Sequence, residues 1–394
     1  MKKKLVSATL SVAMLAAMLA GCGSEAAGTD APSAASAGTS AESSVDEQTD
    51  TAANVSEEAA PEEAAKTSHE VAPTVASGNY DASGDPAVDL IFTSVSVTGD
   101  SHTVAMTAFA DKVVELSGGS VKCKTYSDGT LFSADAEWDA LSGGQADLAY
   151  VSFPTLATQS GLEWCGMIGS AYFWSSYEHM TGTLNGEIGK NEIFPRLEAA
   201  TNAVPLSAFY LGSRVVNTRA KEIRQWSDMN GLLLRMPNSE TWLNLGAALG
   251  ANPTPLAFSE LYTALQTGAV DGQDNPLPTD VSAKFYEVAP YIAITNHVVD
   301  SILPMINKDT WSKLTDAQKS AVTEAMDYAR EVNDKARIEE EDEDIQILTD
   351  AGCTITYPDI EDFKTHAKEY YDAHPDQEAS WDMDLYSRIQ AAAQ

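Results

Sequence analysis

Basic residues are scarce: 24 Lys and Arg stand against 58 Asp and Glu in 394 residues, a formal net charge of −34. Nucleic acids and anionic lipid surfaces are gripped by clustered Lys and Arg, so neither is expected as a partner held by charge. Cysteine is nearly as rare. Apart from Cys22, the residues Cys123, Cys165 and Cys353 are widely separated in apolar surroundings. They lack metal-ligand spacing and the even count of a disulfide framework, so buried free thiols are the default, with one oxidised pair left open. No nucleophile elbow, H-E-x-x-H, phosphate loop or Cys/His cluster occurs, and the six histidines are scattered. No enzyme, metal site or cofactor is therefore expected. Acids do gather at Glu339 to Asp344, but without the alternating ligands and glycine of a calcium loop. That block continues a helix opened by a Thr315–Gln318 capping box and reads as a solvated face.

Long apolar runs are missing too. The one candidate, Leu5 to Leu19, is too short to span a membrane; Lys2, Lys3 and Lys4 precede it and Leu19-Ala20-Gly21-Cys22 ends it. A charged start, a short apolar core and small residues before a cysteine resemble a bacterial lipoprotein signal, residues 1–21, with Cys22 lipidated after cleavage. An ordinary secretory signal followed by a chance cysteine is the alternative. From position 23 to 86 the chain is Ala, Ser, Thr, Glu and Asp with almost no aromatic or branched apolar residue. Such a segment cannot bury enough surface to offset the entropy of ordering, and its acids repel one another, so an extended tether is expected. The expected location is the extracytoplasmic face of the cell membrane, held by lipid. The remaining 300 or so residues exceed one comfortable core and suggest two domains.

What is present is an α/β pattern between Gly231 and Glu287. Leu232 to Leu234 read as a strand covered on both faces of a parallel sheet, with Arg235 at its carboxyl end. Pro237 stops it, Ser239 is an N-cap, Trp242, Leu245 and Leu249 repeat at helical spacing, and Gly250 closes the helix. A second helix carries Leu261, Ala264 and Leu265 between Ser259 and Gly268, and a polar turn, Gln273 to Pro276, follows. Ligands of open α/β sheets sit beyond the carboxyl ends of strands, near helix N-termini, which is where this reading places Arg235. A planar guanidinium suits bidentate capture of a carboxylate; a core ion pair is the alternative.

The segments RMPN, GANPTPLAFSELYTALQTGAVDGQDNP and KFYEVAPYIAITNH resemble the DctP family, the extracytoplasmic solute-binding subunits of tripartite ATP-independent periplasmic (TRAP) transporters. The likeness runs from near Leu90 to Tyr371. It implies that Arg235, in the R-x-P motif, pairs with the ligand carboxylate, that Arg214 assists, and that Asn275 hydrogen-bonds the ligand. Arg214 follows the run Val204 to Tyr210 and a turn at Leu211-Gly212; a solvated ion pair would also account for it. Phe258 matches a pocket aromatic, though a core role would look the same. His102 follows the first strand, Leu90 to Thr93, in a loop that borders the ligand in the family, while Asp100 or Ser101 there could simply cap the next helix. The strand Leu148 to Val151 delivers Ser152, where sialate-binding relatives carry an acid, and Ser133-Ala134 lacks their acidic pair, which argues against sialate. Trp138, Trp164 and Trp174 read as cavity lining or core, with core the safer choice.

The fold so implied is a two-lobed, hinge-closing α/β architecture of the periplasmic-binding-protein kind, each lobe a sheet flanked by helices, with a long interdomain helix from Thr315. Lobe I is expected at 87–211 and 301–340, lobe II at 212–300 and 341–370, and a C-terminal helical segment at 371–394. The implied function is capture of a small organic or sugar acid by its carboxylate and delivery to TRAP permease subunits, the receptor acting as a monomer. A ligand-sensing receptor for another importer or a signalling partner is the alternative. A hydrolytic enzyme would need paired acids in the cleft, and none is evident near Arg235 or Asn275.

Overall fold

The computed structural model describes residues 80–393; the leader, Cys22 and the tether up to position 79 lie outside the described residues. Eleven strands form one continuous hydrogen-bonded system. They are β1 (Val88–Thr93), β2 (Val121–Tyr126), β3 (Leu148–Val151), β4 (Ala203–Pro205), β5 (Phe209–Thr218), β6 (Leu233–Met236), β7 (Asn252–Pro255), β8 (Gly272–Pro276), β9 (Tyr291–Ala293), β10 (Val299–Asn307) and β11 (Thr354–Thr356). Their order is β2-β1-β3-β10-β5-β8-β6-β7, with β4 added to β10, and β9 bridging β5 and β11. β1, β2 and β3 are parallel, as are β6, β7 and β8. The long antiparallel strands β5 and β10 stand between these two groups.

Each group has its own core. Leu90 and Phe92 of β1 pack with Phe109 of the helix Ser101–Leu116 and with Ala321, Ala325 and Met326 of the helix Asp316–Asp350. Leu234 and Met236 of β6 pack with Trp242, Leu245 and Leu249. The expected punctuation holds for the helix Glu240–Ala248, where Ser239 accepts from the Trp242 amide and Gly250 takes φ 85°. Gln318 and Thr315 do form a reciprocal capping box at the start of the 35-residue helix Asp316–Asp350; the acidic block lies within that helix but is not a solvated face throughout, since Asp344 is buried and Glu340 and Glu341 accept from Ser101 and Ser213. After the capping Gln318 its buried face is apolar from Ala321 to Ala329 and polar from Asn333 to Asp344. Asn333 donates to the Tyr210 carbonyl (2.8 Å), Asp334 accepts from the Tyr210 amide (2.8 Å), and Arg337 reaches Asp100 (2.6 Å). The helix thereby grips β5 where that strand leaves one group for the other. Among the described residues no helix is long and apolar enough to cross a membrane.

Four local expectations are corrected. Leu211-Gly212 is not a turn; β5 runs straight through it, pairing with β10 across an irregularity at Asp300/Ser301. Gln273 to Pro276 is not a turn but the buried strand β8, whose polar side chains satisfy one another and Arg214 between β5 and β6. Leu233 is 41% exposed, so β6 is not covered on both faces at its start. Ser259 caps nothing: it falls inside the 3-10 turn Phe258–Glu260 that leads into the helix Leu261–Thr267. Cys165 is buried and Cys123 and Cys353 are half-buried, all three free.

Candidate functional site

A cavity of about 200 Å³ opens at the carboxyl ends of β3 and β6 and is lined by Ser152, Arg214, Arg235, Phe258 and Asn275 together with Glu137. Five of the six ligand-contact residues expected from sequence thus meet at one place. A neighbouring cavity of about 350 Å³ shares Val95, Ala134 and Phe258 with it. A larger one, about 490 Å³, lies among Asn244, Tyr371 and Trp381. It is lined by no arginine or lysine, so chemistry, not size, selects the smaller cavity.

The two arginines are buried alike, each 3% exposed, but partnered differently. Arg214, on β5, donates from Nε to Asp274 (2.8 Å) and from Nη1 to Asp300 (2.9 Å), and its guanidinium lies 4.5 Å from the centre of the Trp242 ring. Burial opposes its charge, yet Asp274 and Asp300 hold it above the ordinary arginine range. Burial likewise works against ionised Asp274, but Arg214 and His297 pull it below the usual carboxylate range. At Asp300 burial outweighs the same arginine and the carboxyl is raised. Arg235, on β6, donates from Nε to the Leu256 carbonyl (2.8 Å) and has no ion-pair partner among the described residues. Burial, with Arg214 adding repulsion, pushes it down to about 10 despite the pull of Asp274. A buried guanidinium whose outer nitrogens face a cavity without a counter-ion is a receptor for an anion.

Asn275 donates to Gln273 Oε1 (2.6 Å) and accepts from Arg214 (3.3 Å), which fixes its amide orientation. Phe258 packs edge-on against Phe285, ring centres 5.5 Å apart. Ser152 ends β3 and caps the short helix Phe153–Leu156 by accepting from the Thr155 amide (3.2 Å), so its hydroxyl is already engaged.

His102 is the exception, and the expectation that it borders the cavity is corrected. Asp100 is the N-cap of the helix Ser101–Leu116, accepting from the His102 amide (2.9 Å), and the His102 ring turns inward against Arg337. Burial first, then Arg337, lowers it to about 4, so the ring is neutral at neutral pH, its Nδ1 lying 2.6 Å from the Arg337 guanidinium and 3.2 Å from Asp100 Oδ1. Its carbonyl accepts from the Tyr150 hydroxyl (3.1 Å), and Tyr150 lines the cavity. His102 therefore stands one layer behind the wall.

Sequence reasoning missed Glu137, Asp300 and Trp242 as lining residues, and took Trp138 for core although it also lines the cavity. Glu137 left a signal: it shares the buried face of the helix Ala134–Ser142 with Ala140 and Leu141, an acid where the helical period calls for an apolar residue. Trp164 and Trp174 are core. Among the described residues no cluster of His, Cys, Asp and Glu is arranged to hold a metal.

Residues 92–378 match the family described as bacterial extracellular solute-binding protein, family 7 (DctP). The sialic acid-binding periplasmic protein SiaP of Vibrio cholerae is 32% identical over 262 residues, 66% of this chain and 80% of that one. The 2,3-diketo-L-gulonate-binding periplasmic protein YiaO of Escherichia coli is 28% identical over 65% of this chain and 77% of its own. A TRAP periplasmic solute-binding protein of Roseobacter denitrificans, solved with 3-deoxy-D-manno-oct-2-ulosonic acid bound, superposes with a TM-score of 0.73 at 33% identity, covering 78% of this chain and 99% of that one. A second from the same organism, with bound L-galactonate, gives 0.71 at 26% identity over 78% and 99%. The chain belongs to the family 7 (DctP) extracellular solute-binding proteins, the receptors of TRAP transporters.

Proposed function

We propose that this protein captures a sugar acid or related small carboxylic acid, with Arg235 as the primary carboxylate contact, and presents it to the membrane subunits of a TRAP-type secondary transporter. The observation that carries this reading is the unpaired, buried Arg235 guanidinium lining a half-open, largely apolar cavity. Hydrogen bonds to charged groups contribute about 1.5–3 kcal/mol each, so one doubly bonded arginine can dominate recognition of a small acid. Arg214 acts at one remove: its charge is spent on Asp274 and Asp300, and it holds Asn275 toward the ligand. Relatives with bound 3-deoxy-D-manno-oct-2-ulosonic acid and L-galactonate support the substrate class. Ser152 and Ala134, neutral where sialate-binding relatives carry acids, support a sugar acid other than sialate.

The protein acts as a receptor without turnover. Its cavity acids are Glu137, Asp135 and Asp300: Asp300 is tied to Arg214, and Asp135 and Glu137 share the helix Ala134–Ser142, so they do not face each other across a ligand. The ligand is held between two lobes with the boundaries given above, β5, β10 and the helix Asp316–Asp350 joining them. At the N-terminus, Cys22 carries the lipid; Cys22→Ala should release the protein from the membrane fraction or leave an uncleaved precursor, and unchanged retention of a cleaved product would remove the anchor. The test of the receptor itself is a thermal-shift series on the mature protein with hexonates, hexuronates, 3-deoxy-octulosonate, C4-dicarboxylates and neutral sugars. A ligand at a hundred times its Kd stabilises by about 2.7 kcal/mol. At least one sugar acid should raise the melting temperature, and a response confined to neutral sugars would overturn the reading.

A further inference from the structure

The wall that the cavity draws from the β1–β3 side contains a second chemically distinctive group. Glu137 is 7% exposed and projects from the helix Ala134–Ser142, which packs on β3 and β10. Its one hydrogen-bond partner among the described residues is Thr93, whose hydroxyl donates to Oε1 over 3.3 Å, leaving Oε2 without a partner. No cation among the described residues pairs with it. Oδ2 of Asp280 and of Asp344 are likewise without a partner but sealed away from solvent, whereas Glu137 Oε2 is not sealed in. Here the unmet oxygen belongs to a residue that lines the ligand cavity.

We propose that Glu137 is a second recognition point, its carboxyl hydrogen-bonding a hydroxyl or carbonyl oxygen of the acid whose carboxylate Arg235 holds. The inference rests on the receptor reading and adds to it that the ligand carries a polar oxygen remote from its carboxylate. Burial raises Glu137 to about 8, with Thr93 pulling only weakly the other way. At neutral pH the group is a neutral donor, which suits an anionic ligand; ionised, it would repel that ligand and have no proton to give. The other charged or titratable groups around the cavity are Asp135 on the same helix, Tyr150 on β3, Arg214 on β5, Arg235 on β6 and Asp300 on β10. Tyr150 is raised well above its ordinary range, and Arg214 and Asp300 are bound to each other. Arg235 titrates higher than Glu137, and it is common to every variant below.

Calorimetry with galactonate and with glucuronate at about pH 6 and about pH 9 separates the roles. Wild-type affinity should fall about tenfold across that span, following the loss of the Glu137 proton. Glu137→Gln, whose amide still donates, should bind at about pH 6 within about threefold of wild type and lose most of the pH dependence. Glu137→Leu should weaken both sugar acids about tenfold at the lower pH while leaving hexanoate, which has no hydroxyl, bound as in wild type or tighter. Parallel pH curves for wild type and Glu137→Gln, or sugar-acid affinity unchanged in Glu137→Leu, would overturn the proposal and leave the receptor reading standing. Absence of carboxylate binding by the wild type at either pH would take away both.

Discussion

Arg214 and Arg235 occupy equally buried positions, but Arg214 sits between Asp274 and Asp300 whereas Arg235 has only the Leu256 carbonyl. Removing one member of a buried ion cluster strands the others, so Arg214→Met should destabilise the ligand-free protein by about 3–5 kcal/mol. Arg235→Met removes a charge that nothing in the free protein compensates, and should raise the melting temperature of the ligand-free protein while abolishing acid binding. The folded value of Arg235, about 10, lies below the ordinary arginine range. The cost of its charge is therefore present at every pH below about 10 and relieved only above it, so the gain in Arg235→Met should be flat from about pH 5 to about pH 8. A lower melting temperature in Arg235→Met would mean that the guanidinium is structurally paired. That Arg235 lines the cavity was legible from its place near the end of an apolar strand. The pairing of Arg214 was not, because its partners Asp274 and Asp300 are 60 and 86 residues away and only the fold brings them together.

At the level of elements, the helices were legible because their ends are written locally, as Ser239 with Gly250 and Thr315 with Gln318 show. β8 was not. Gly272-Gln273-Asp274-Asn275-Pro276 has the composition of a turn, and it becomes a central strand only because β5 supplies Arg214 for Asp274 and Asn275 supplies a donor for Gln273. Leu211-Gly212 deceived in the same way: Gly212 does take φ 124°, but inside β5, where it lets the strand pass close to Pro276. A Cβ on Gly212 would fall 2.5 Å from the Pro276 Cβ and 3.2 Å from Glu341 Oε1. Glu341 already accepts from the Ser213 amide (2.6 Å) and the Tyr210 hydroxyl (2.8 Å), so it has little freedom to yield. Gly212→Ala should lower stability by about 1–3 kcal/mol, read as a shift of the denaturant midpoint at constant slope. Gly161→Ala is the control. It shares a positive φ, 83°, but has open space around it, and it should cost no more than about 1 kcal/mol. Equal losses in the two would assign the effect to backbone conformation alone and remove the close approach of β5 to β8 from the account.

For the whole molecule, the cavity draws its wall from both groups of strands. Glu137, Tyr150 and Ser152 belong to the β1–β3 side, and Arg235, Phe258 and Asn275 to the β6–β8 side. The sides are joined by β5, β10, the C-terminal segment after Tyr371 and the helix Asp316–Asp350, whose Asn333, Asp334 and Glu341 hold β5 at Tyr210 and Ser213, and bonds such as Ser282 to Asp100 also cross between them. A ligand that touches Arg235 and Glu137 together gains its full set of contacts only when the two sides approach, and differential affinity of that kind is the one way a ligand can shift a conformational equilibrium. Solution scattering of the saturated protein should therefore show a smaller radius of gyration than the free protein. Arg235→Met at the same ligand concentration should show no change, because it loses the anchoring contact. Glu137→Leu, brought to saturation with excess acid, should compact less than wild type, because one of the two opposed contacts is gone while the other still fills the site. If both variants compact fully once saturated, closure is driven by something other than the bridging of these two walls, and the cavity would have to be read as a site on one side that the other side merely covers.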